Sequence, residues 1–156
     1  MSYVDKVLQP GEQVLYRGRR HWIVYLPAST LIAVALLLAI ASTVVVPTQS
    51  QSLGWFLLGA AVIGAVGLMM WIAAWIRRIS TELAVTDRRV IVKSGLIRRT
   101  TMEMNRSKIE SVLVEQGLMA RLFDYGTIIV KGTGGGFEPV DSIDEPLAFR
   151  SAITAG

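Results

Sequence analysis

The sequence predicts a membrane α-helical hairpin joined to a small α+β domain, a curved β-sheet or partial barrel closed by one C-terminal helix. Three observations carry that fold class. Between Arg20 and Arg77 there is no Asp, Glu, Lys or Arg. That stretch is interrupted once, at Pro47-Thr48-Gln49-Ser50-Gln51-Ser52. From Ile79 onward the chain changes to short alternating apolar and polar runs separated by turn residues, the pattern of antiparallel strands.

The first apolar run, residues 22–46, and the second, residues 53–76, each exceed the roughly 20 residues needed to cross a hydrocarbon core of about 30 Å. A secretory leader is the competing account of the first run. It is disfavoured because the preceding segment carries Asp5 and Glu12, the run is longer than the usual apolar region of a signal peptide, and a second run follows at once. Cations set the orientation. Arg17, Arg19 and Arg20 precede the first run, Arg77 and Arg78 follow the second, and the loop 47–52 has none, so both termini of a multi-pass membrane protein are expected to be cytoplasmic. Trp22, Tyr25, Trp71 and Trp75 suit the aromatic belt on that face and Trp55 the other. In the second run Ala60 and Gly64, and Ala61 and Ala65, have the spacing that permits close helix approach, serving either the hairpin itself or contacts between copies; the first run offers Ala33, Ala35, Ala39 and Ala41. Neither run holds an ionisable residue, which argues against transport, since transporters place such groups at membrane depth.

Beyond the hairpin, strands are expected at residues 82–86, 90–93, 96–103, 109–115 and 126–131, a turn at 132–136 and a last strand at 137–141. Asp144, Glu145 and Pro146 read as an N-cap, an acid and an early proline before a short amphipathic helix. Fewer than about 80 residues give a marginal core. The strand-like run Glu12 to Arg17 in segment 1–21 is therefore expected to add a strand to the sheet of the domain at 77–156.

The runs Leu83-Ala84-Val85-Thr86-Asp87-Arg88-Arg89-Val90-Ile91-Val92, Ser94-Gly95-Leu96-Ile97, Ser107-Lys108-Ile109-Glu110-Ser111-Val112, Gly117-Leu118, Leu122-Phe123-Asp124-Tyr125-Gly126-Thr127 and Ile143-Asp144-Glu145-Pro146 together resemble the bacterial membrane-flanked domain family. Its members are bacterial pleckstrin-homology-like (PH-like) domains. The resemblance covers about half the chain and implies a PH-like fold beside a transmembrane hairpin, but no particular ligand, since a fold does not license a function.

Chemistry is narrowed by composition. The chain has no cysteine and one histidine, His21, so thiolate chemistry, Cys-His pairs and His-pair metal sites are excluded within one chain, and His21 is expected to sit at the membrane interface. No catalytic residue, metal or cofactor is expected. Gly132-Thr133-Gly134-Gly135-Gly136 is not a phosphate-binding loop, because Lys131 precedes the glycines and strands flank them. The sequence pI of about 9.8 is explained by membrane orientation rather than nucleic acid, for which no recognition motif is present, and no small-molecule substrate is evident.

Residues 77–108 carry nine cations against three acids, a net +6, whereas residues from 109 onward carry a net −4. Arg88, Arg89, Lys93, Arg98 and Arg99 are the candidates for lipid-headgroup or partner contact, since guanidinium groups match phosphate oxygens bidentately. Exposed cations beside a membrane are also what orientation alone requires. Two readings stand from sequence: a non-enzymatic inner-membrane protein that displays its domain for protein interaction or homo-oligomeric assembly, and a sensor of anionic phospholipid headgroups. Tethering favours the first, because it raises the effective concentration of the domain for membrane-bound partners.

Overall fold

The computed structural model describes residues 3–95, 100–136 and 139–155. They divide into two compact units, one formed by residues 1–21 and 77–156 and the other by residues 22–76.

In the β unit, α1 (Tyr3–Val7) and β1 (Val14–Gly18) precede the hairpin, and β2 (Glu82–Thr86), β3 (Arg89–Ser94) and β4 (Thr100–Asn105) follow it. These four strands form one antiparallel sheet in the order β1-β2-β3-β4. β1 pairs with β2 through Tyr16–Val85 and Arg17–Ala84. A second antiparallel sheet holds β5 (Ile109–Glu115), β6 (Tyr125–Gly132), the two-residue β7 (Gly135–Gly136) and β8 (Val140–Asp144), with β5, β7 and β8 all pairing to β6. The one-turn helix α4 (Leu118–Leu122) links β5 to β6, and α5 (Pro146–Thr154) ends the unit.

Two sheets thus replace the single curved sheet expected. The turn Arg106–Lys108 breaks the chain between β4 and β5, and the sheets meet at a seam where the chain beyond β1 runs along β8. There Arg20 bridges Ile143, His21 N donates to Ser142 O, and Asp144 N donates to Arg19 O. The core lies between the sheets and α5: Leu83, Val85, Val90 and Val92 from the first sheet, Ile128, Val130 and Ile143 from the second, and Phe149 and Ile153 from the helix.

The ends of several elements depart from expectation. β4 starts at Thr100, and residues 96–99 of the expected strand lie outside the described residues. Of the last expected strand, 137–141, residues 137 and 138 lie outside the described residues; the strand that is described is Val140–Asp144, and it continues past 141 because its pairing with β6 and Arg19 reaches Asp144. Asp144 is consequently not the N-cap of α5. That position is Glu145, at φ 47°, without a side-chain cap; its N–H donates instead to Asp124 O.

The second unit holds α2 (Leu26–Val45), entered through a 3₁₀ turn at Trp22–Tyr25, and most of α3 (Gln51–Ser80). Both helices are long and apolar enough to cross a membrane. They pack through small residues: Ala28, Ala35 and Ser42, spaced by seven, are buried on α2, and Ala60 is buried on α3. A Cβ at Gly64 would lie 3.5 Å from Ala35 Cβ, while one at Gly67 would come within 2.9 Å of Ile32 Cγ1 and 3.2 Å of Ile32 N. Ala61 and Ala65 face outward, so of the two candidate pairs only Ala60 and Gly64 serve the hairpin. On α2, Ala35 is buried, Ala39 is half-buried, and Ala33 and Ala41 are exposed. Tyr25 stacks on Trp71 with ring centroids 5.2 Å apart. Gly67→Val forces branched carbons into the Ile32 backbone and is expected to cost about 1–3 kcal/mol by overpacking, whereas Ala61→Val on the outward face should leave stability unchanged. Thermal unfolding of the two variants in the same detergent checks the difference.

Candidate functional site

The predicted basic cluster is only partly a surface. Thr86 ends β2 and Arg89 begins β3, and the tight turn between them is held by Thr86, whose Oγ1 accepts from Arg88 N at 3.2 Å and Arg89 N at 2.9 Å. That turn aims Arg89 inward. Its Nε donates to Glu12 Oε1 at 3.0 Å, and one Nη donates to Glu12 Oε2 at 2.8 Å and to Val7 O at 2.7 Å. The other Nη reaches Glu103 Oε2 at 2.7 Å. The Glu12 carboxylate is fully buried and also accepts from Thr86 Oγ1 at 2.7 Å and Gln9 N at 2.8 Å. Four elements or segments, α1, the loop before β1, the β2–β3 turn and β4, are thereby tied through the Arg89 guanidinium.

The Arg89 hydrogen bonds pull the Glu12 carboxyl down from its ordinary 4.5 to about 2, against the opposing effect of burial, and Glu12 in turn raises Arg89. Because the folded-state value is depressed, the associated stability is present above about 4.5 and is lost as pH falls toward about 2. Acid unfolding of the β unit is expected to steepen across that window. Glu12→Gln should flatten the pH dependence there, as followed by circular dichroism at fixed temperature.

The remaining cations are distributed as follows. Lys93 is nearly buried and donates to Glu82 Oε1 at 3.2 Å, with its Nζ 5.2 Å from the Tyr3 ring centroid. Arg88 is half exposed, 3.9 Å from Asp87 and 3.4 Å from Gln9 Oε1. Arg98 and Arg99 lie outside the described residues. The cluster drawn from sequence is therefore not one surface: Arg89 and Lys93 are internal struts, and among the described members Arg88 alone offers its guanidinium to solvent. Arg106, which was not singled out from sequence, caps α5 by donating to Ile153 O at 2.7 Å.

The orientation cations sit where the chain leaves and re-enters the β unit. Arg17 pairs with Asp5, Arg19 with Asp144 at 3.0 Å, and Arg78 Nε donates to Arg20 O at 3.1 Å. Arg20 has a buried Nε without a hydrogen-bond partner, and burial, with Arg77 nearby, lowers its pKa. Arg77 is exposed. His21 is buried and stacks on Tyr125 at 5.3 Å. Tyr16 packs edge-on to Phe149 at 5.9 Å, and burial together with Glu145 pushes its phenol up to about 12.

Along the outer edge of the first sheet runs an open groove of about 490 Å³ lined by Thr101, Met102, Glu103, Met104, Asn105, Lys108 and the β6–β7 turn at Thr133 to Gly135. Among the described residues β4 pairs with β3 on one side only. An exposed strand edge of this kind can accept an added strand.

Two antiparallel sheets, a closing C-terminal helix and two long apolar helices define a class, and comparison of the sequence with known families agrees. The bacterial PH domain family matches residues 22–155, and the chain belongs to that family. No curated protein and no solved structure matches it.

Proposed function

We propose that this chain is a non-enzymatic protein of the bacterial cytoplasmic membrane that displays a PH-like domain on the cytoplasmic face for protein interaction or homo-oligomeric assembly. One topological observation carries the reading. β1 and β2 are neighbours in a sheet, yet both long apolar helices lie between them in sequence. The domain closes only by bringing the two ends of the hairpin together, so insertion of the hairpin fixes the domain at the bilayer. The helices themselves support insertion: 11% of each apolar window is buried, whereas the core helix of a soluble protein is mostly covered. The cation pattern, with none in the loop 47–52 and five flanking the hairpin, supports cytoplasmic termini.

Interaction is favoured over headgroup sensing because Arg89 and Lys93 are committed internally, while the edge of β4 and its groove remain open to a partner strand. Headgroup sensing rests on Arg88, half exposed, with Arg98 and Arg99. The mass of the full-length protein in mild detergent, with the detergent contribution subtracted, separates the readings when measured at low and high salt. The expected result is one discrete oligomer of the same mass at both, since edge pairing is insensitive to screening. A monomer at both salts removes self-assembly. Liposome binding that collapses with salt and on reversal of Arg88, Arg98 and Arg99 to Glu would replace this reading by headgroup sensing.

A further inference from the structure

Among the described residues of the β unit, the most exposed large apolar side chains are concentrated on one turn of chain. Leu118 is 85% exposed, Leu122 74% and Met119 65%, with Phe123 at 42%. This is α4, whose inner side is anchored by Ala120, buried at 7%. Leu147, itself 52% exposed, extends the patch from α5, since it lines a groove together with Arg121 and Arg150. Soluble surfaces do not normally gather apolar side chains in this way.

Strand direction fixes which end of the unit α4 occupies. β6 begins at Tyr125, three residues beyond α4, and the Tyr125 ring stacks on His21. His21 is the last residue before the chain passes into the apolar unit. The opposite end of β6, at Gly132, is about 23 Å away at roughly 3.3 Å per residue. The exposed apolar turn therefore stands at the end from which the hairpin departs. Of the acids at this end, Asp144 is paired with Arg19 and Glu145 accepts from the Tyr16 hydroxyl at 3.4 Å, while Glu115 and Asp124 are exposed beside α4. The groove beside α4 holds two cations, Arg121 and Arg150, against one acid, Asp124.

We propose that α4 and Leu147 form a lipid-contact surface, a short wedge that rests in the interfacial layer of the bilayer and holds the domain against it. The proposal rests on the reading of the hairpin as membrane-spanning. Apolar side chains with flanking arginines suit an anionic interface, and the contact is generic for lipid rather than selective for one headgroup. It restricts the domain to one orientation, leaving the edge of β4 free for partners.

The absence of cysteine permits a clean test with single-cysteine variants of the full chain. Leu118→Cys, Leu122→Cys, Leu36→Cys within α2 and Thr133→Cys beyond the far end of β6 are each labelled with an environment-sensitive fluorophore. They are then reconstituted into phosphatidylcholine and phosphatidylglycerol vesicles that carry lipid with a shallow or a deep nitroxide quencher. The expected result is at least a twofold loss of emission at 118 and 122 with the shallow quencher, loss at 36 with the deep one, and none at 133. Quenching at 36 with full emission at 118 and 122 overturns the wedge and leaves the hairpin intact. Blue-shifted but unquenched labels at 118 and 122 also overturn it, assigning the patch to a protein contact. Full emission at 36 overturns the membrane reading and the wedge with it.

Discussion

Replacement of Glu12 by Ala is expected to destabilise the β unit by about 3 kcal/mol, because removing one member of a buried ion pair leaves the other uncompensated at a typical cost of about 3–5 kcal/mol. The lower end applies, since Arg89 keeps Glu103 at 2.7 Å. Loss of Glu12 also strips the acceptor from Gln9 N and leaves the Thr86 hydroxyl with Arg89 O alone, so the segment before β1 loosens together with its tie to the turn between β2 and β3. At about 4–8 °C per kcal/mol for a domain of this size, the melting temperature falls by roughly 12 °C or more. The double replacement Glu12→Leu with Arg89→Met removes both charges and should recover most of the loss. A single variant that melts with the wild type would show that the pair does not hold the domain.

Phe149→Ala is expected to be at least as damaging. Phe149 is fully buried, joins both sheets to α5 in the core, and meets Tyr16 of β1 edge-on at 5.9 Å. Truncating a buried phenylalanine costs about 3–5 kcal/mol in lost transfer energy and cavity. Here the cavity opens against β1, where Gly18 lets the ring approach: a Cβ on Gly18 would lie 3.3 Å from Phe149 Cδ2. Protection of the β1 amides from hydrogen exchange should therefore fall more than that of β6. Phe149→Leu, which retains part of the volume, is expected to lose less.

How far the molecule could be read from its sequence depends on how local each signal is. The two apolar helices are legible because a charge-free stretch announces itself without reference to any partner, and β2, β3, β5 and β6 because alternation and turn residues bound them within a few positions. The division into two sheets is not, since it depends on the turn at Arg106–Lys108 and on a seam between Arg20 and Ile143. α4 escapes because five residues carry too little periodicity for a helix to be recognised and because its leucines point outward, against the rule that reading relies on. The basic cluster misleads for a related reason. Composition places Arg88 and Arg89 side by side, but only the pairing of Arg89 with Glu12, 77 positions away, turns one of them from surface into core. Likewise Ala60 with Gly64 and Ala61 with Ala65 have the same spacing, and only the position of Ala35 on the facing helix, against Gly64, tells which pair is inside. A glycine at 67 with apolar neighbours was the signal available for the closest helix approach, and it has no small residue four positions away to mark it.

The central claim, that a membrane-spanning hairpin inserted between two paired strands holds the domain on the cytoplasmic face, is tested most directly by accessibility of single cysteines in sealed right-side-out membrane vesicles. Gln49→Cys in the loop between the helices and Thr133→Cys in the β unit are treated with a membrane-impermeant maleimide before and after permeabilisation. The account predicts labelling at 49 in intact vesicles and at 133 only after permeabilisation. Equal labelling of both positions in intact vesicles, or of neither until permeabilisation, would place the loop and the domain on the same side and contradict it.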